Sequence, residues 1–210
     1  LSPAVSGQES ARLLRSRRDR GYLSTLSMRH PLTVWSIGHS TRSIEELIEM
    51  LTEAEVATLV DVRAQPHSAR NPQFNEERLR ESCGQANLVY HWAGRHLGGK
   101  RPLRVDSPHI ALETGRRGFA DHMDTEIFKK AISQFLSLAT RAPTAMLCAE
   151  REPEQCHRSL IADYLILQGL QVMHLIEPGV SREHLLSAQA RRESARLIYD
   201  RQATAALDLG

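Results

Sequence analysis

The chain has 210 residues, 41% of them hydrophobic and 25% charged, with a formal net charge of +2. That length suits one domain with terminal extensions and argues against a second full domain. The composition excludes a fibrous or wholly disordered chain, and the small net charge makes no overall case for nucleic-acid or membrane binding.

Residues 1–32 are polar and arginine-rich, with "ARLLRSRRDRG" as the basic piece, and their apolar residues are too sparse for a core. They read as a flexible basic tail, and Met28 offers an alternative start close to the first strand. From residue 33 short apolar runs alternate with longer amphipathic ones. "TVWSI" (33–37), "TLVDV" (58–62), "LVYHW" (88–92), "TAMLCA" (144–149) and "QVMHLI" (171–176) have the length and composition of strands.

Between the strands lie helix signals. "SIEELIEMLTEA" opens on Ser43 with Glu46 three residues on, a capping box. "NEERLRESCGQA" starts at the cap candidate Asn75. "DTEIFKKAISQFLSLAT" and "HRSLIADYLILQG" carry apolar residues at helical spacing. Strands alternating with helices predict an α/β domain over 33–178, built on a mostly parallel five-stranded sheet covered by helices on both faces. Residues 94–118 read as a long aperiodic insertion. The segment 179–210, "SREHLLSAQARRESARLIYDRQ" in its middle, reads as a helical extension with an imperfect apolar stripe.

Cys83, Cys148 and Cys156 form an odd, irregularly spaced set, unlike the framework of a small secreted scaffold. A reducing compartment is the better fit. No apolar run approaches the ~18–20 residues of a spanning helix, so the expectation is a soluble, cytoplasmic protein with no membrane partner. The oligomeric state is not legible.

Open parallel sheets hold ligands beyond the carboxyl ends of their strands. Here those segments are "GHST" (38–41), "DVRAQPHSARNPQF" (61–74), "GRHLGGKRP" (94–102) and "CAEREPEQCHRS" (148–159). The predicted site therefore gathers His39, Ser40, Thr41, Asp61, Arg63, Ser68, Arg70, Lys100, Glu150 and Arg158 as substrate-binding residues, around Cys148, Cys156 and His157 as the chemical centre. His67, His91, His96 and Arg95 fall near the same edge.

Three uses of the last loop stay open. A thiol facing a helix N-terminus and nearby cations is a nucleophile candidate. Cys148, Cys156 and His157 also offer ligands to a divalent transition metal, with His39 or another edge histidine as a fourth, although the spacing matches no standard zinc pattern. In the third reading the cysteines pack and Arg158 pairs with Glu150 or Glu152.

"IGHST", "DVRAQPHSARNPQF", "LGGKR", "GFADHM" and "CAEREPEQCHR", in this order, resemble the domain of unknown function 488 family over roughly residues 33–178. That resemblance implies a compact α/β domain of bacterial or archaeal type and no settled activity. "LVDVR" followed by "AMLCAE", an "RS" pair and a helix is similar to the order in rhodanese-type sulfurtransferases, which implies Cys148 as the sulfur carrier and Arg158 as its arginine. The interval here is nine residues and holds three glutamates. A small anionic, phosphate- or nucleotide-type substrate is favoured over nucleic acid. The nucleic-acid alternative rests on the 91–118 segment, where six Lys/Arg face two acidic residues, with Trp92, the tail and the C-terminal extension.

Overall fold

The computed structural model describes residues 31–201. The expected basic tail lies outside the described residues, apart from Pro31 and Leu32. Five parallel strands stand where the apolar runs predict them: β1 (Thr33–Gly38), β2 (Thr58–Asp61), β3 (Val89–Trp92), β4 (Thr144–Cys148) and β5 (Gln171–Glu177). A sixth strand, β6 (Val180–Glu183), runs antiparallel to β5, so the sheet has six strands rather than five, in the order β3-β2-β4-β1-β5-β6.

Period-two alternation sorts each central strand between two cores. Leu59, Ala145, Leu147, Ile37 and Leu175 pack with helices α1 (Ile44–Glu53) and α2 (Glu76–Gln85) on one face. Val34, Val60, Met146, Cys148 and Val172 pack with α4 (Thr114–Met123), α5 (Glu126–Ala139) and α6 (Arg158–Leu167) on the other. β4 is buried at every position, as a strand covered on both faces must be. Ser43 caps α1 by accepting the Glu46 N–H at 3.1 Å. The reciprocal arm of the capping box is not made, because the Glu46 carboxylate pairs with Arg42 at 3.0 Å. Asn75 sits at the N-cap of α2, but its Oδ1 accepts from the Ser68 N–H and not from the helix.

Two expectations are corrected. The 94–118 stretch is not structureless: it holds a one-turn helix, α3 (Gly94–Leu97), and the first half of α4. The segment beyond 179 is not helical among the described residues, where it forms β6 and a two-stranded ribbon, β7 (Ala190–Glu193) with β8 (Arg196–Tyr199). Its apolar residues are neighbours in a strand, Leu197, Ile198 and Tyr199 being buried together, and Ser194 turns the ribbon at φ 55°. Asp163 on α6 docks this region, accepting from Tyr199 Oη and Ser187 N at 2.9 Å each, with His184 Nε2 also at 2.9 Å. His184 Nδ1 in turn meets His174 Nε2 at 2.9 Å. Among the described residues no helix is long and apolar enough to cross a membrane.

The strand order positions the site. The chain leaves β1 through α1 toward β2, and leaves its neighbour β4 through α6 toward β5 on the opposite side. The connections after adjacent strands thus diverge, which opens a crevice at their carboxyl ends. Backbone bonds beyond the strands, His39 N to Cys148 O at 2.9 Å and Ser40 N to Ala149 O at 2.7 Å, keep the two loops together at its floor.

Candidate functional site

A cavity of about 850 Å³ occupies this crevice. Cys148, Cys156 and His157 form part of its wall, with His39, Arg63, His67, Ser68, Lys100 and Glu150 among the other lining residues. Cys148 comes from the end of β4, while Cys156 and His157 immediately precede α6. His157 Nδ1 lies 3.7 Å from Cys148 Sγ and 3.6 Å from Cys156 Sγ. Its Nε2 is 3.0 Å from the Leu97 carbonyl oxygen and 3.2 Å from that of Val62. Carbonyls only accept, so Nε2 carries the hydrogen, and in the neutral ring the Nδ1 lone pair faces both sulfurs.

Packing fixes that ring. Phe119 of α4 meets it edge-on, with centroids 4.8 Å apart. Gly99 lies against it so closely that a Cβ there would stand 2.7 Å from His157 Cγ and Nδ1. The glycine of "LGGKR" thus serves close approach to the imidazole. Gly38 plays a similar part at the floor, where a Cβ would overlap the Glu150 carbonyl.

The two thiols differ. Cys156 Sγ accepts the backbone N–H of Arg158 at 3.5 Å, at the start of α6. The Cys148 S–H and the Arg158 guanidinium hold the Cys156 thiol well below the ordinary range despite its burial. Cys148 is pushed well above that range, first by its hydrogen bond to Cys156 and then by burial. Cys83 lies away from the cleft in the α1–α2 core, its thiol pushed up to about 12 by burial and Asp61.

Arg158 is fully buried and does not line the cavity. Its guanidinium donates to the carbonyls of Glu150 and Arg151, so it ties the loop to the helix instead of pairing with a glutamate or presenting itself to a ligand. Asp61, also fully buried, accepts from Arg63 Nε at 2.9 Å, Arg63 Nη2 at 2.5 Å and Tyr90 Oη at 2.8 Å. This bidentate pair fixes Arg63 in the cavity wall. His39 stacks on Phe74 at 4.5 Å and turns Nδ1 to the Ser40 carbonyl at 2.9 Å. Burial, assisted by Arg63, lowers its pKa to about 4, so the ring is neutral.

Two of the three loop carboxylates are turned away. Glu152 and Glu154 pair with Arg182 of β6, at 3.2 and 2.8 Å, and Arg151 pairs with Glu177. Only Glu150 of the three loop glutamates lines the cavity. Ser40, Thr41 and Arg70 stand outside the lining, Ser40 at the turn after β1 with φ 47°. Arg101 and Arg116, which are not among the predicted site residues, do line the cavity, together with Gln65, Glu113 and Gln155. Lys100, Arg101 and Arg116 make no ion pair among the described residues; their bonds run to Gln65, to the Gly98 and Arg95 carbonyls, and to Ser159 Oγ.

The only group of three metal-ligating side chains close enough to share an ion, among the described residues, is Cys148, Cys156 and His157, with ligand atoms within 4.8 Å of one another. His39 is not part of it.

Fold and site together define a doubly covered, mostly parallel α/β protein with a thiol–imidazole cluster at its topological switch point. A family model described as Domain of unknown function DUF488 matches residues 43–165, more than half of the chain, and the chain belongs to that family. No curated protein matches the chain, and no solved structure does. The likeness to rhodanese-type sulfurtransferases finds no support in these comparisons.

Proposed function

We propose that the protein is an enzyme that takes a small anionic substrate, of the phosphate- or nucleotide-bearing class, into the crevice at the strand ends and acts on it through the Cys148–Cys156–His157 cluster. One observation carries this reading: the cluster shares a cavity wall with four cations, Arg63, Lys100, Arg101 and Arg116, three of them without a carboxylate partner among the described residues. Cations gathered on the walls of one concave cleft attract an anion together more strongly than the same cations scattered over a flat surface. Glu113 and Glu150 also line it and restrict where the anion sits. Turning Glu152 and Glu154 toward Arg182 removes the repulsion their position in the sequence suggests.

The backbone N–H of Arg158, which Cys156 Sγ accepts at the helix start, favours thiolate character at Cys156. On this reading the nucleophilic sulfur sits at the helix start, whereas sulfur transfer of rhodanese type would need it at Cys148. The nucleic-acid reading has less support. Arg104 pairs with Asp106, Arg117 donates to nearby carbonyls, and among the described residues the basic C-terminal helix is replaced by a ribbon.

The test is protection of Cys156 from iodoacetamide by inorganic phosphate, pyrophosphate and ADP, read by peptide mass spectrometry. Saturable protection that a Lys100→Ala/Arg116→Ala variant loses at least tenfold in apparent affinity is the expected result. Alkylation indifferent to all three anions, with no change in thermal unfolding temperature, would overturn the reading.

A further inference from the structure

We infer that Cys148, Cys156 and His157 bind one thiophilic divalent ion of the zinc class, through Cys148 Sγ, Cys156 Sγ and His157 Nδ1, with a fourth coordination position open to the cleft. The inference rests on the proposed catalytic cleft for what occupies that fourth position, and on geometry alone for the ion.

The distances fit. With metal–sulfur bonds of about 2.3 Å and metal–nitrogen bonds of about 2.05 Å, a tetrahedral site has sulfur-to-nitrogen edges of about 3.6 Å. The two edges here are 3.7 and 3.6 Å. Hydrogen bonds to sulfur are tolerant of length, but here one nitrogen stands at the same distance from two sulfurs and all three atoms lie within 4.8 Å of one another. Neutral imidazole and two thiolates are a soft set that selects zinc-class ions over magnesium or calcium.

The surroundings are those of a metal-binding imidazole. A ligating histidine commonly donates its other ring nitrogen to a backbone carbonyl or carboxylate, which sets the tautomer and aims the lone pair. His157 Nε2 has two such carbonyls, from the loops after β2 and at the end of α3, and its ring is clamped between Gly99 and Phe119. The three ligands come from both ends of the β4–α6 connection, which Arg158 holds closed through the carbonyls of Glu150 and Arg151. The site is therefore in place before any ion arrives.

Three protein ligands plus an open position is the pattern of catalytic zinc sites, whereas structural sites close with four. All three ligands line the 850 Å³ cavity, the fourth direction having Lys100, Arg101 and Arg116 on the same cavity's walls. A water or a phosphate oxygen is the natural fourth ligand. Binding is balanced as follows: the ion enters, both sulfurs coordinate as thiolates, and whatever protons the cluster carried pass to solvent, with no change of oxidation state.

Cobalt(II) provides the test, titrated into the full reduced chain after treatment with a chelator. One equivalent should produce thiolate-to-cobalt charge-transfer absorption and the strong visible bands of a tetrahedral ion, and zinc should displace both. Cys148→Ser, Cys156→Ser and His157→Ala should each weaken binding at least tenfold, while Cys83→Ser leaves it unchanged; circular dichroism establishes that each variant is folded. Inorganic phosphate should shift the visible bands in the wild type and fail to do so in Lys100→Ala/Arg116→Ala, which should still bind cobalt. Absence of charge-transfer absorption, or its persistence in both single cysteine variants, sinks the metal site. A cobalt spectrum indifferent to phosphate, azide and cyanide sinks the open position. If no cobalt binds yet anions still protect Cys156 from alkylation, the metal inference fails and the proposed cleft stands; if cobalt binds and no anion acts on either readout, the reverse holds.

Discussion

At the scale of single residues, the site depends on a few side chains whose neighbours leave them one orientation. Gly99→Ala would drive a methyl group into the His157 ring, and overpacking of this kind costs about 1–3 kcal/mol. Denaturant unfolding should show that loss, accompanied by slower alkylation of Cys156; a variant with normal stability and normal reactivity would mean that the ring is free to move. Arg158→Met should cost more, about 3–5 kcal/mol, because it strips the carbonyls of Glu150 and Arg151 of a buried charged donor. Periodicity put Cys148 at a strand end and Cys156 and His157 at a helix start, and these three share a cavity wall with Lys100. What it could not supply was direction. Arg158 looked like an anion holder and is an internal tie, and Glu152 and Glu154 looked repulsive until β6 brought Arg182 to them.

At the scale of elements, legibility tracked burial except in β3, whose apolar and aromatic run was readable although only Tyr90 is buried. β1, β2, β4 and β5 are dominated by apolar or β-branched residues, and α1 and α5 carry caps at Ser43 and Thr125, so each was readable on its own. α4 was half hidden by the glycines of "TGRRGFADHM", although Phe119, Ala120 and Met123 already stood at helical spacing. The β7–β8 ribbon was unreadable for a different reason: short, half-exposed strands take their stability from docking, here onto Asp163. Tyr199→Phe removes one buried hydrogen bond to that carboxylate and should cost about 1–2 kcal/mol. Hydrogen exchange should localise the effect to 184–200; equal loosening of the central strands would show that the ribbon is not a separate docking element. In contrast Met146→Ala, in the strand buried on both faces, should cost about 2–5 kcal/mol and loosen the whole sheet.

At the scale of the whole molecule, buried histidines make stability depend on pH. Burial lowers His39 to about 4 and, with help from His184, His174 to about 3. Unfolded, each titrates near 6.5. Below that value the unfolded chain binds protons that the folded chain refuses, so their contribution is complete above about pH 6.5 and is lost as pH falls toward 4 for His39 and 3 for His174. Linkage sets the loss between pH 7 and pH 5 at about 2 kcal/mol for each ring. Urea unfolding at the two pH values measures it, and His39→Asn should flatten the dependence by its own share; stability that rises on acidification would contradict the assignment. The sheet order carries a last consequence. β1 lies between β4 and β5, yet both β1 and β5 fall outside residues 43–165, the stretch that the family model matches. The family signature is therefore not a module that could be cut out or grafted. Its cysteines and histidine would be left on a β4 with an unpaired edge, and any transplant of this chemistry has to carry the strand that precedes the signature and the one that follows it.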